Sequence, residues 1–77
     1  MEIDLHGKNL YQARITLLSA LKRATSADYR LRVIHGYHGG EALRCMVREA
    51  ASSHPQVLRI EETSNRGETV LVLREYL

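Results

Sequence analysis

One arrangement occurs twice in this 77-residue chain and narrows what it can fold into: a short apolar run, the pair His-Gly, then an amphipathic helical pattern. It appears at Ile3-Asp4-Leu5-His6-Gly7, before a stretch carrying Leu10, Ala13, Leu17, Leu18, Leu21 and Ala24. It appears again at Val33-Ile34-His35-Gly36, before a stretch carrying Leu43, Met46, Val47 and Ala50. Strands joined through helices are parallel, because a two-residue turn cannot join them. The second copy is richer: residues 33–44 read VIHGYHGGEALR, with Gly39 and Gly40 ahead of the helix and Arg44 in its first turns. Backbone amides behind such glycines can face an anion. Two strand ends of one kind, each with a histidine, predict one composite site.

In order, residues 1–5 read as a strand. Ile3 and Leu5 point one way and Glu2, Asp4 and His6 the other, by the two-residue period. Gly7 ends it. Asn9 is a good N-cap, and Gln12 completes an Asn-x-x-Gln form of the capping box. Residues 29–34 form a second strand, with Arg30 and Arg32 alternating against Leu31 and Val33. Glu41 sits in the first turn of the second helix, where negative charge suits the dipole. Pro55 ends that helix. Residues 57–62 form a third strand, residues 63–67 (TSNRG) a turn, and residues 69–74 a fourth strand. The fourth strand is too apolar for an exposed edge. The order is βαβαββ. Two right-handed crossovers moving the same way place both helices on one face. The expected fold class is α/β: a two-layer sandwich with a mixed four-stranded sheet, made of one domain, residues 1–77. If the first two strands are neighbours, histidines 6 and 35 share the carboxyl edge of the sheet, where ligands of open α/β sheets bind.

Composition excludes some alternatives. At 44% hydrophobic and 26% charged residues the chain reads as globular. The net charge of +2 permits a nucleic-acid partner without demanding one. Cys45 is the only cysteine, which rules out an internal disulfide and suits a reducing cytoplasm. No apolar run approaches the ~20 residues of a membrane span. The start of the chain has no basic-then-apolar signal pattern, and no GxxxxGK[ST] motif marks an ATPase.

The residues at this point match a known family. The chain resembles a stand-alone Smr (small MutS-related) domain. Asp4-Leu5-His6-Gly7 matches the family's Asp-Leu-His-Gly, and Gln12-Ala13 stands where the family usually has Glu-Ala. Val33-Ile34-His35-Gly36 and Leu43-Arg44 match the next blocks. His54-Pro55-x-Val57 and Gly67-x-Thr69-x-Leu71-x-Leu73 match the last two. The family loop is typically His-Gly-x-Gly-x-Gly-x-Leu-Arg; here it is one residue longer, with Tyr37-His38 at the turn. The resemblance implies the fold of the C-terminal domain of a bacterial translation initiation factor. It also implies nucleic-acid binding, with DNA nicking or RNA cleavage in some members.

The expected site follows from both readings. Asp4, His6 and His35 are candidates for acid/base work on a phosphodiester. The plainer alternative has Asp4 paired locally and the histidines shaping the strand exits. Gly36, Gly39, Gly40 and Arg44 are candidates for a phosphate cradle, with Arg44 as a bidentate clamp. Alternatively, the glycines serve a tight turn and Arg44 pairs with Glu41 or Glu49. Tyr37 and His38 can stack on an unpaired base, or form an exposed loop tip. No metal ligands are assigned. A divalent metal (Mg or Mn) is the cofactor left open; Asp4, His6, His35 and His38 together carry imidazole and carboxylate donors of the kind that suit zinc or manganese. Two functions are therefore expected to compete: a DNA or RNA endonuclease, and a non-catalytic module that binds nucleic acid or protein through the same edge. The altered loop separates them, because catalysis needs tighter placement than binding.

Overall fold

In the computed structural model, which describes residues 1–37 and 40–75, six elements follow the expected order. They are β1 (Glu2–Asp4), α1 (Leu10–Arg23), β2 (Arg30–Ile34), α2 (Gly40–Ser52), β3 (Arg59–Glu62) and β4 (Glu68–Val72). The strands are one or two residues shorter than the sequence pattern suggests. Their ladders nevertheless reach further: Leu5 N–H donates to Ile34 O at 2.7 Å, Leu58 N–H to Val72 O at 2.8 Å and Leu73 N–H to Tyr29 O at 2.8 Å.

The sheet order is β1-β2-β4-β3. β1 pairs with β2 in parallel, and β4 pairs antiparallel with both β2 and β3. β2 and β3 are thus parallel to each other, with β4 returning between them. This explains why β4 is nearly all apolar: it is an interior strand, and Val70, Leu71 and Val72 are all buried.

Both helices cover the same face. Leu31 lies opposite Leu71, and Leu71 opposite Ile60. These join Leu5 and Val33 in one core with Ala13, Leu17, Ala20 and Leu21 of α1 and Leu43, Val47, Ala50 and Ala51 of α2. Leu10 has the angular position of a core residue but is 49% exposed. It is the first residue of α1. Ala20, which the spacing did not mark, is buried instead.

Asn9 caps α1 as expected. Its side chain accepts from Gln12 N–H at 2.8 Å, and the Gln12 side chain accepts from Asn9 N–H at 3.3 Å. The opposite face of the sheet carries no helix from the described residues. Arg32 pairs there with Glu2 and Glu68, and Arg59 with Glu61 and Glu75.

Candidate functional site at the carboxyl end of the sheet

Each His-Gly pair ends a parallel strand in the same way. Gly7 and Gly36 have φ of 80° and 87°, a region that L side chains rarely adopt. The chain can therefore turn sharply from β1 towards α1 and leave β2 at the same edge. The turns are alike, yet the two histidines preceding the glycines do different things.

His6 faces outward, its side chain 70% exposed. Asp4 Oδ1 accepts from the His6 backbone N–H at 3.0 Å and stands 2.5 Å from His6 Nδ1. An ionised Asp4 can only accept, so Nδ1 carries the proton and Nε2 presents its lone pair away from Asp4. The hydrogen bond from the His6 ring, then that from its backbone, holds the Asp4 carboxyl below the usual carboxylate range.

His35 faces inward and is only 1% exposed. Its Nδ1 lies 3.2 Å from Gly36 O, a group that can only accept, so Nδ1 donates. Its Nε2 lies 3.0 Å from Thr69 Oγ1, which then donates to it. Both ring nitrogens are thus occupied by protein groups. The backbone amides of His35 and Gly36 both donate to Gly67 O at 2.9 Å. The strand exit is in this way fastened to the β3–β4 turn.

Tyr37 completes that fastening. Its hydroxyl donates to Asn65 Oδ1 at 2.7 Å, and its ring lies over Gly67, where a Cβ would come within 3.2 Å of the ring. The Tyr37 side chain remains largely exposed despite this bond. His38 and Gly39 lie outside the described residues. Gly40 is the first residue of α2.

Arg44 belongs to a different cluster from the one expected. Its strong partner is Glu62 at the end of β3, at 2.5 Å; Glu41 is 3.9 Å away, and no pairing with Glu49 occurs. Arg48, one turn further along α2, also pairs with Glu62. The hydrogen bond to Glu62 raises the Arg44 pKa, and the same bond lowers that of Glu62. A cleft of about 500 Å³ at this edge is lined by His35, Gly36, Tyr37, Arg44 and Arg66, together with Glu41, Glu62 and Glu68. Asp4 and His6 are not among the residues lining it. His6 stands beside it, its Cβ 3.2 Å from where a Cβ on Gly36 would fall.

Among the described residues no group of three or more His, Cys, Asp or Glu side chains is arranged to hold a metal ion. Sequence reasoning missed Glu62, Asn65 and the bond from Thr69 to His35. The Gly67-x-Thr69 block marked two of the positions involved, but nothing local linked them to a loop about 30 residues earlier.

With this geometry in view, the match to known proteins can be read residue by residue. Residues 3–74 match the Smr domain. The chain belongs to the Smr domain family. The crystal structure of the Smr domain of Thermus thermophilus MutS2 is similar to it, with a TM-score of 0.85 and 32% sequence identity. That match covers 96% of this chain and 98% of the other. No curated protein matches the chain. In this Smr domain, the Asp-Leu-His-Gly block builds the exposed Asp4–His6 pair. The second His-Gly block and the Gly-x-Thr block meet across the sheet end, His35 against Thr69 and the His35 and Gly36 amides against Gly67. No helix among the described residues is long and apolar enough to cross a membrane.

Proposed function

We propose that this Smr domain binds nucleic acid at the carboxyl end of its sheet and cleaves a phosphodiester bond there, with Asp4 and His6 as the reacting pair. Smr domains generally bind nucleic acid, and some nick it. The observation that carries the catalytic reading is the exposed Asp4–His6 pair: a carboxylate orients the imidazole and leaves Nε2 free among the described residues. Such a nitrogen takes a proton from an attacking hydroxyl or water as that oxygen bonds to phosphorus; Asp4 stabilises the resulting imidazolium, and the leaving oxygen, released as its P–O bond breaks, takes its proton from solvent. His35, sealed against Thr69, is a positioning residue that holds the β2 exit. The first amides of α2 face the phosphate, the Gly36 amide being taken by Gly67 O. The reaction is placed in the cytoplasm, where the exposed thiol of Cys45 stays reduced.

The test is incubation of the pure protein with labelled single-stranded RNA and with supercoiled DNA, each with and without Mg or Mn. Asp4→Asn and His6→Ala are each expected to lower cleavage by ~10² to 10⁴ while leaving binding and melting temperature nearly unchanged. A stably folded double variant that cleaves at the full rate would remove the pair from the mechanism. Binding without cleavage on any substrate would leave the domain as a non-catalytic module.

A further inference from the structure

The proposed reaction needs a surface that holds the polynucleotide on either side of the scissile bond, and the cleft beside Gly36 is poorly suited to it. Of its two arginines Arg44 is bound to Glu62, which leaves Arg66 against Glu41 and Glu68 in the lining. More uncompensated positive charge lies on α1 and its flanks. Residues 7–27, which hold α1 and its flanks, contain Lys8, Arg14, Lys22 and Arg23 and no acid. That segment is therefore +4, and with the whole chain at +2 the remainder is −2. Arg30, Arg32, Arg44, Arg48 and Arg59 are all ion-paired. Among the described residues, Arg14, Lys22 and Arg23 have no ion pair or hydrogen-bonded side-chain partner.

The outward face of α1 adds a second feature. Tyr11, Ile15, Leu18 and Lys22 follow at i, i+4, i+7 and i+11, so they line one side of the helix. The buried Ala13, Leu17, Ala20 and Leu21 occupy the other side. Tyr11 is 75% exposed and Ile15 49%. The line from Tyr11 to Lys22 runs ~16 Å along the helix, the span of a few nucleotides. Its Tyr11 end lies in the first turn, just after the Asp4–His6 pair.

We propose that the outward face of α1 is the track for a single-stranded polynucleotide, with Tyr11 stacking on an unpaired base and Arg14, beside that line, and Lys22, at its end, meeting the phosphates. This rests on the function proposed above and extends it. An exposed aromatic among unpaired cations is how single strands are held without reading their sequence. A duplex keeps its bases stacked on each other and offers no face to Tyr11. An acidic polypeptide would satisfy the cations but would offer Tyr11 no base.

The test is fluorescence anisotropy on the full chain with labelled oligouridylate, oligothymidylate, a duplex of equal length and a polyglutamate peptide, over a range of salt. Either single strand, or both, should bind more tightly than the duplex or the peptide; comparing the two identifies the preferred sugar. Tyr11→Ala should weaken single-strand binding roughly tenfold, and Tyr11→Phe should restore it. Replacing Arg14 and Lys22 together by glutamine should reduce the slope of log affinity against log salt by about 1.4, at ~0.7 per phosphate. Arg44→Ala should change neither. These positions are at the surface, and circular dichroism checks that each variant is folded. Wild-type affinity and slope in folded Tyr11→Ala and Arg14→Gln/Lys22→Gln variants would overturn the α1 track while leaving the nucleic-acid reading in place. Equal binding of polyglutamate would also overturn it. Failure of the unaltered chain to bind any polynucleotide would overturn the function itself.

Discussion

Two histidines with the same neighbours illustrate what a single position can and cannot express. His6 and His35 each precede a glycine with positive φ at the end of a parallel strand. His6 is held by Asp4 and open to the surroundings, whereas His35 is closed over by Thr69. This distinction makes a prediction at the scale of one hydroxyl. Thr69→Val keeps the side-chain volume but leaves His35 Nε2 buried without its donor. The expected loss is roughly 1–3 kcal/mol, read as a lower denaturation midpoint with an unchanged m-value. A Thr69→Val protein as stable as the parent would show that the His35–Thr69 contact does not hold the site.

At the scale of elements, α1 is defined almost entirely by local chemistry. Its capping box closes on both sides, with Asn9 and Gln12 each accepting from the other's backbone N–H. Its last turn carries Lys22 and Arg23, which suit the negative end of the helix dipole. Asn9→Ala is therefore expected to cost about 1 kcal/mol, which for a domain of this size lowers the melting temperature by ~4–8 °C. Asn9→Ser should recover most of that. Cap loss should leave nucleic-acid affinity nearly unchanged at temperatures where the variant is folded. The α2 pattern was equally plain, and its first turn carries Glu41 as expected. The core stripe of α1 differs from its spacing at Leu10, which is exposed, at Leu18, which is half-buried on the outward side, and at Ala20, which takes a buried place.

For the molecule as a whole, Glu62 links the end of β3 to two turns of α2 through Arg44 and Arg48. Its pKa is lowered in the folded state, chiefly by the hydrogen bond from Arg44, and that of Asp4 is lowered chiefly by the bond from the His6 ring. A carboxyl with a depressed folded pKa contributes stability that is present above its unfolded pKa. That contribution is lost as pH falls through the folded value. The domain should therefore lose stability on acidification below the ordinary carboxylate range. Glu62→Gln should flatten that part of the curve, while affecting the neutral region only slightly because these pairs are solvent-screened. Melting curves across the acid range in both proteins measure this. An identical acid slope in both would show that Glu62 does not contribute to it.

Much of this architecture is readable from local sequence. The βαβαββ order, the parallel pairing of the first two strands, the interior place of β4 and the cap of α1 all follow from local rules. These rules are the two-residue and 3.6-residue periods, glycine at positive φ, side-chain capping and the handedness of crossovers, each acting over a few residues or through simple chain connectivity. The Asp4–His6 pair was legible for the same reason, since alternate residues of a strand lie on one side. The partners of Arg44 and His35 were not. Glu62 is 18 residues from Arg44, and Thr69 is 34 residues from His35. Only the return of β4 between β2 and β3 brings such pairs within bonding distance. Local spacing shows which side chains share an edge of the sheet, but not which of them neutralise one another there. That depends on contacts between strands distant in sequence, and it is why Arg44, read from the sequence as a phosphate clamp, is already occupied by a carboxylate.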